Sequence, residues 1–117
     1  YCPRTHAFFG HKQHPVLRLL AAGARVVLGT DSRASNPDLS VWKELQFVAA
    51  HFPDISIPQL LAMVTTDAAD SLGLAVDHYS LRAGRQLRCV MLKTSSVESD
   101  LRQVICHSTT QPTISIH

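Results

Sequence analysis

Residues 25–32 read Arg25, Val26, Val27, Leu28, Gly29, Thr30, Asp31, Ser32. After its arginine the run is continuously apolar, which fits a strand covered on both faces and hence a parallel sheet. It breaks through a glycine and a threonine onto a carboxylate. Parallel α/β folds keep their chemistry at the carboxyl ends of strands, so Asp31 is the first candidate for a catalytic residue. Read from the residues alone, the alternative is a turn former or a helix cap.

Helical signals stand on either side. Upstream, Pro15 suits a first helical turn, Leu17, Leu20, Ala21 and Ala24 recur three or four apart, and Gly23 offers a left-handed stop, which predicts a helix over 14–22. Downstream, Asn36 as cap, Pro37 at the first position and Asp38 in the first turn predict a helix over 37–52. Its stripe is Val41, Leu45, Val48 and Phe52, flanked by Trp42 and Ala49, with Lys43, Glu44 and Gln46 toward water. Pro53 stops it. Ser56 and Gln59 resemble a capping box that opens a helix over 57–65, with Leu60, Leu61 and Val64 on its apolar side. Thr66 and Asp67 read as a further cap, Ala68, Ala69 and Leu72 as a short apolar turn, and Gly73 as its end. From Leu74 the texture changes. Residues 79–84 read as a hairpin or loop, 87–92 as a strand and 97–105 as a weakly amphipathic helix, while residues 113–117 alternate as a strand does. A boundary near residue 75 therefore divides the chain into 1–75 and 76–117, and the fold class is α/β.

Composition removes several function classes. A length of 117 residues allows one small core, and an apolar fraction of 45% with 17% charged is that of a globular domain. A net charge of +2, with no basic stripe, argues against a nucleic-acid partner. No run of about 18 apolar residues is present, so no membrane partner is expected. Cys2, Cys89 and Cys106 stand far apart, which gives neither a zinc knuckle nor a disulfide framework and favours a reduced, cytoplasmic setting. Cys2 beside Pro3 has no identifiable partner base and reads as structural. Of the seven histidines, His6, His11 and His14 are the densest group, but their spacing does not match the helical H-E-x-x-H. They read as loop histidines near a substrate mouth or in solvent rather than as a zinc site. The signatures G-x-S-x-G, G-x-x-x-x-G-K and G-x-G-x-x-G are absent. The start at Tyr1 and the strand that ends without a turn both look cut.

Three segments carry a resemblance: Cys2, Pro3, Arg4, Thr5 and His6 at the start; Gly29, Thr30, Asp31 and Ser32 with Ala34, Ser35 and Asn36 in the middle; and residues 66–74 later. In order and spacing the chain resembles the amidohydrolase superfamily, in its metal-dependent deaminase and chlorohydrolase branch. The resemblance implies the carboxyl-terminal part of a TIM-type (β/α)8 barrel. The first residues would be the end of the seventh strand, 14–22 the helix after it, Val26 to Asp31 the eighth strand, and the residues beyond about 75 part of a small β-rich domain. The H-x-H of the first strand and the histidines of the fifth and sixth, which supply most of the family's metal ligands, are not in the chain.

In that frame Asp31 resembles the aspartate that contacts the metal and shuttles the proton of its water. The residue type suits the chemistry, because zinc or iron acidifies bound water and a nearby carboxylate can pass its proton to a leaving nitrogen. Thr5 and His6 fall at the seventh-strand mouth and are the candidate substrate contacts. Ser32, Ser35 and Asn36 are read as shaping the loop and capping the helix. Asp67 stands where relatives carry Asn, and Gln86, Leu87 and Arg88 replace the Ala-Asp-Leu after the glycine matching Gly84. The expected function is hydrolysis of a carbon–nitrogen bond, or of a carbon–halogen bond, in a small heterocyclic substrate. The expected cofactor of the complete enzyme is a divalent metal, zinc or iron. The chain alone is expected to be inactive and to bind no metal tightly, since one carboxylate cannot supply the three or four ligands of a zinc site. Two barrel strands without neighbours are also expected to leave bare edges that favour association. The alternative is a non-catalytic remnant or a small α/β interaction module in which Asp31 is only a turn residue.

Overall fold

The computed structural model describes residues 1–75, 83–84, 88–91, 100–108 and 113–116. Its elements are α1 (Pro3–Phe8), α2 (Val16–Ala21), α3 (Val41–His51), α4 (Ile57–Ala62), α5 (Thr66–Ser71), β1 (Arg88–Met91), α6 (Leu101–His107) and β2 (Thr113–Ile116). None of the described helices is long and apolar enough to cross a membrane.

The first expectation to change is the seventh-strand end. Residues from Pro3 onward form a helix, with Pro3 in the first turn, where a missing N–H costs nothing and a fixed φ is already helical. Residues 26–31 likewise do not form a strand in a ladder. What remains of sheet pairing is one contact. The Tyr1 amino group donates to Val27 O at 2.8 Å, and Gly29 N donates to Tyr1 O at 2.9 Å. One residue bonded to the two neighbours of Leu28 is the pattern of a parallel ladder. Parallel pairing of these two segments is therefore present in a single bridge.

The bare edges expected here are partly covered. Leu28 N donates to Met63 O at 3.1 Å, so the carbonyl just beyond α4 meets the side of the extended segment opposite Tyr1. Val26 and Leu28 are buried while Val27 is half-buried, so the face carrying Val27 is the less covered of the two.

The longest helix is shorter than its sequence signals. α3 starts at Val41 rather than near residue 37, because Ser40 caps it by accepting from Lys43 N at 3.3 Å. Asn36 is engaged by Glu44 instead. The buried face of α3 is Glu44, Leu45, Val48 and Ala49, so the stripe is rotated by about one position from the predicted one. Val41 is exposed, and Glu44 is fully buried rather than in water. In α2 it is Val16, not Leu17, that enters the core. Ser56 caps α4 as expected, accepting from Gln59 N at 3.4 Å. The Thr66 and Asp67 cap is not formed. α5 begins at Thr66 with Thr65 as its cap residue, and the Thr65 hydroxyl donates back to Leu61 O at 2.7 Å. Gly73 stands just past α5 at φ +69°, the left-handed end that its sequence position predicts.

The core gathers Val16, Val26, Leu28, Leu45, Val48, Phe52, Ile55, Leu60, Met63 and Ile105. Ile105 comes from α6, which lies on α3. Gln46 Nε2 donates to Ile105 O at 2.8 Å and to Ser108 O at 3.0 Å. Arg102 reaches Ala49 O at 2.9 Å and also Ile55 O. α6 is capped by Asp100, which accepts from Arg102 N at 2.9 Å. It therefore runs about four residues later at its start than the helix predicted over 97–105, of which residues 97–99 lie outside the described residues. The strand predicted over 87–92 appears as β1, paired antiparallel with β2 in the register Arg88 to Ile116 and Met91 to Thr113. Of the predicted 79–84 hairpin only 83–84 are described, as a turn with Gly84 at φ +78°.

Candidate functional site

Asp31 is exposed and stands where the extended segment ends. Its backbone is at φ +60°, a left-handed conformation that side chains adopt rarely and aspartate tolerates better than most. The next five residues hold it there. Ser35 N and Asn36 N both donate to Ser32 O, at 3.2 and 3.0 Å, closing a tight turn behind the aspartate. That turn brings the Ser35 hydroxyl to Asp31 Oδ2, to which it donates at 2.7 Å.

Behind Ser35 lies Thr5. Its hydroxyl donates to Thr30 O at 3.2 Å and lies 3.2 Å from Ser35 Oγ. Thr5 and Ser35 are both buried, so the hydroxyl pair sits beneath the carboxylate and away from solvent. The structure thus brings Thr5 and Asp31 together through Ser35. His6 is placed differently. It is half-buried, with Nε2 2.6 Å from Lys12 O. Its ring centroid is 5.9 Å from Tyr1, 5.1 Å from His11 and 5.5 Å from His14. His14 stacks on Tyr1 at 3.9 Å, and its Nδ1 is buried without a partner among the described residues. Burial, then the neighbouring His6, lowers the His14 pKa from the usual histidine value.

The turn that carries Asp31 and Ser35 is anchored by a group that sequence reasoning placed in water. The Glu44 carboxylate is fully buried and accepts from Asn36 Nδ2 at 2.6 Å and from Arg4 N at 2.9 Å. Asn36 Oδ1 in turn accepts from Leu39 N at 3.1 Å, which holds Leu39 at φ +51°. Arg4 grips Asp38 with both terminal nitrogens, at 2.8 and 3.2 Å, and Lys43 adds a 2.7 Å contact. The Arg4 hydrogen bond first, and the Lys43 one next, hold the Asp38 carboxyl well below the usual carboxylate range. α1, the turn and α3 are joined by these side chains. A signal was present: Glu44 is one helical turn before Val48, on the face that the core covers.

Among the described residues, Asp31 is the carboxylate that stands at the end of the extended segment. Asp31 Oδ2 is taken by Ser35, whereas Oδ1 has no partner among the described residues, and such an open, exposed oxygen fits one donor position. Among the described residues no three His, Cys, Asp or Glu side chains converge to hold an ion. His6, His11 and His14 do not do so.

The family model of the amidohydrolase family matches residues 1–114. The chain belongs to the amidohydrolase family. Among curated proteins it is similar to a 5-methylthioadenosine/S-adenosylhomocysteine deaminase of Teredinibacter turnerae, 30% identical over 84% of this chain and 24% of the relative. The protein of that name in Desulforudis audaxviator is 39% identical over 69% of this chain and 20% of the relative. A 5'-deoxyadenosine deaminase of Methanoregula boonei is 37% identical over 54% and 16%. The chain spans about a quarter of the length of the curated relatives it matches over most of its own length. No solved structure matches it. The family match and the deaminase names of these relatives support an enzyme of the amidohydrolase type in the complete form. The amidohydrolase family implies a TIM-barrel fold.

Proposed function

We propose that this chain is the carboxyl-terminal portion of an amidohydrolase-family deaminase, in which Asp31 is the acid–base carboxylate. The single observation that carries the reading is the placement of Asp31. It stands at the end of a segment parallel to Tyr1, exposed, with one oxygen held by Ser35 and the other open. The names of the relatives support the substrate class: an adenine nucleoside whose exocyclic amine is replaced by oxygen.

In the proposed reaction water adds to the ring carbon that bears the amine. Asp31 accepts the proton released from that water and returns it to the amine nitrogen. The carbon–nitrogen bond then breaks and ammonia leaves, while the water's second proton ends on the adjacent ring nitrogen, so the oxygen remains on the ring as a lactam carbonyl. A carboxylate with one open oxygen and a second one fixed by a donor can make both transfers without reorienting. A divalent cation, when bound, supplies Lewis acidity and an acidified water, and Asp31 is the residue of this chain that would help to hold it. The remaining ligands would come from parts of the protein outside this chain, so the chain alone is proposed to be inactive. His6 lies on the histidine-rich side of α1 and is proposed on the substrate side of the mouth. Thr5, expected there too, is buried beneath Asp31 and is not assigned to substrate.

Incubating the complete protein, loaded with zinc or iron, with 5'-methylthioadenosine, S-adenosylhomocysteine and 5'-deoxyadenosine tests the reading. Stoichiometric ammonia and the matching inosine-type product are expected from at least one. Release of no ammonia from any of the three would count against the substrate class.

A further inference from the structure

We infer that Ser35, backed by Thr5, is a positioning residue that fixes the reactive orientation of Asp31. This deepens the reading above and rests on it. Three observations carry it. First, the Ser35 hydroxyl donates to Asp31 Oδ2 at 2.7 Å, the short distance of a charge-assisted bond. Its single proton is spent there, so toward Thr5, 3.2 Å away, Ser35 can only accept, and the one Thr5 proton is shared between Ser35 Oγ and Thr30 O, each at 3.2 Å. Second, both hydroxyls are buried while the carboxylate is exposed. The pair therefore acts from beneath the acid and does not compete for its outer face. Third, Asp31 sits at φ +60°. A residue in that region persists only where its surroundings hold it, and here the holding groups are the turn closed on Ser32 O and the hydroxyl on its own side chain.

The consequence is a division of labour between the carboxylate oxygens. Oδ2 is anchored to the protein and Oδ1 is left for the reacting proton. Without Ser35 the side chain of an exposed aspartate would be free to turn about χ1, and the fraction of time spent in the reactive orientation would fall. Thr5 contributes by filling the acceptor side of Ser35 while its own hydroxyl is shared with Thr30 O, which ties the serine to the extended segment that presents Asp31. The sequence reading of Ser35 as a loop-shaping residue and of Thr5 as a substrate contact is thereby replaced by one role acting through Asp31.

The test pairs two readouts. In this 117-residue chain, three-bond couplings of the Asp31 side chain are expected to show one χ1 rotamer, averaged among rotamers in Ser35→Ala and restored in Ser35→Thr. In the complete protein, Ser35→Ala is expected to lower kcat by roughly 10- to 100-fold with KM within about twofold, since an orienting hydrogen bond to a charged group acts on the proton-transfer step rather than on ground-state binding. Thr5→Val is expected to lower kcat by about two- to fivefold, and Thr5→Ser to restore it, since valine keeps the shape and removes the donor. Unchanged Asp31 couplings in Ser35→Ala, or a Ser35→Ala enzyme of normal kcat, would overturn the inference. If Asp31→Asn in the same protein abolishes turnover while Ser35→Ala leaves it intact, only the positioning role is lost. If Asp31→Asn leaves turnover intact, the acid–base reading falls and takes the positioning role with it.

Discussion

Replacing Glu44 by alanine is expected to cost more stability than any other single charge deletion in the described part of the chain. Glu44 is fully buried and accepts from Asn36 Nδ2 at 2.6 Å and Arg4 N at 2.9 Å. Truncation leaves the buried Asn36 Nδ2 and the half-buried Arg4 N without their acceptor, at about 1–3 kcal/mol each. The Arg4 guanidinium, 3.5 Å from Glu44, keeps its two contacts to Asp38, so it is not orphaned as well. The sum is about 2–6 kcal/mol, which brackets the roughly 3–5 kcal/mol seen when one partner of a buried pair is removed. A domain of this length has roughly 6–18 kcal/mol in total, so the loss is a large part of the whole. With a urea slope of about 2 kcal/mol per molar, the unfolding midpoint should fall by roughly 2 M. The partner variant Asn36→Ala should lose less when Glu44 is already gone, giving a coupling of at least about 1 kcal/mol in a double-mutant cycle. A Glu44→Ala loss below about 1 kcal/mol, or strictly additive single losses, would refute the view that this carboxylate clasps α1 and the 31–40 turn to α3.

Asp38 gives a pH dependence. Its carboxyl is held below the usual carboxylate range by Arg4 and Lys43, so its contribution is fully present above about pH 4 and is lost as pH falls further; Asp38→Asn should be less stable at pH 7 and show a flatter acid limb in urea titrations. His14 acts in a higher window. Its lowered pKa means that the unfolded chain takes up a proton first as pH falls below about 6.5, so stability declines there, whereas His14→Phe, which keeps the stack on Tyr1 and removes the orphaned Nδ1, should melt higher at pH 5.5 and show little change between pH 7 and 5.5. For Gly29→Ala, the new Cβ would lie 3.5 Å from Cys2 Sγ, an ordinary contact, so thermal unfolding should report a change below about 1 kcal/mol.

Much of the helical framework could be read from the chain because the signals are local. Ser56 with Gln59 marked the start of α4, Gly73 marked the end of α5, and the spacing of Leu45, Val48 and Phe52 marked the inner face of α3. What was misread depends on partners far away in sequence. Glu44 reads as a solvated charge until Arg4 and Asn36 are brought to it from 40 and 8 residues away. The same contact draws Asn36 from its expected role as a cap, so α3 starts at Ser40 instead. Apolar composition at Val26 to Leu28 identified a segment suited to a sheet, but a ladder needs a run of paired residues, and among the described residues the segment meets only Tyr1 and the Met63 carbonyl. Of the candidate site, the position of Asp31 at the end of the extended segment was legible, because an apolar run breaking onto a carboxylate is a sequence pattern. The Ser35 contact to Asp31 was not, because nothing in a serine four residues on distinguishes a loop former from a hydroxyl aimed at a carboxylate.

The role of Asp31 is exposed most plainly by turnover of the complete, metal-loaded protein carrying Asp31→Ala, with metal content and unfolding midpoint checked against the parent. If this acid group carries the proton, kcat for ammonia release should drop by about a thousandfold or more, the scale of general acid–base assistance added to the loss of a ligand. A kcat within tenfold of the parent, in a protein that still holds its metal, would contradict it.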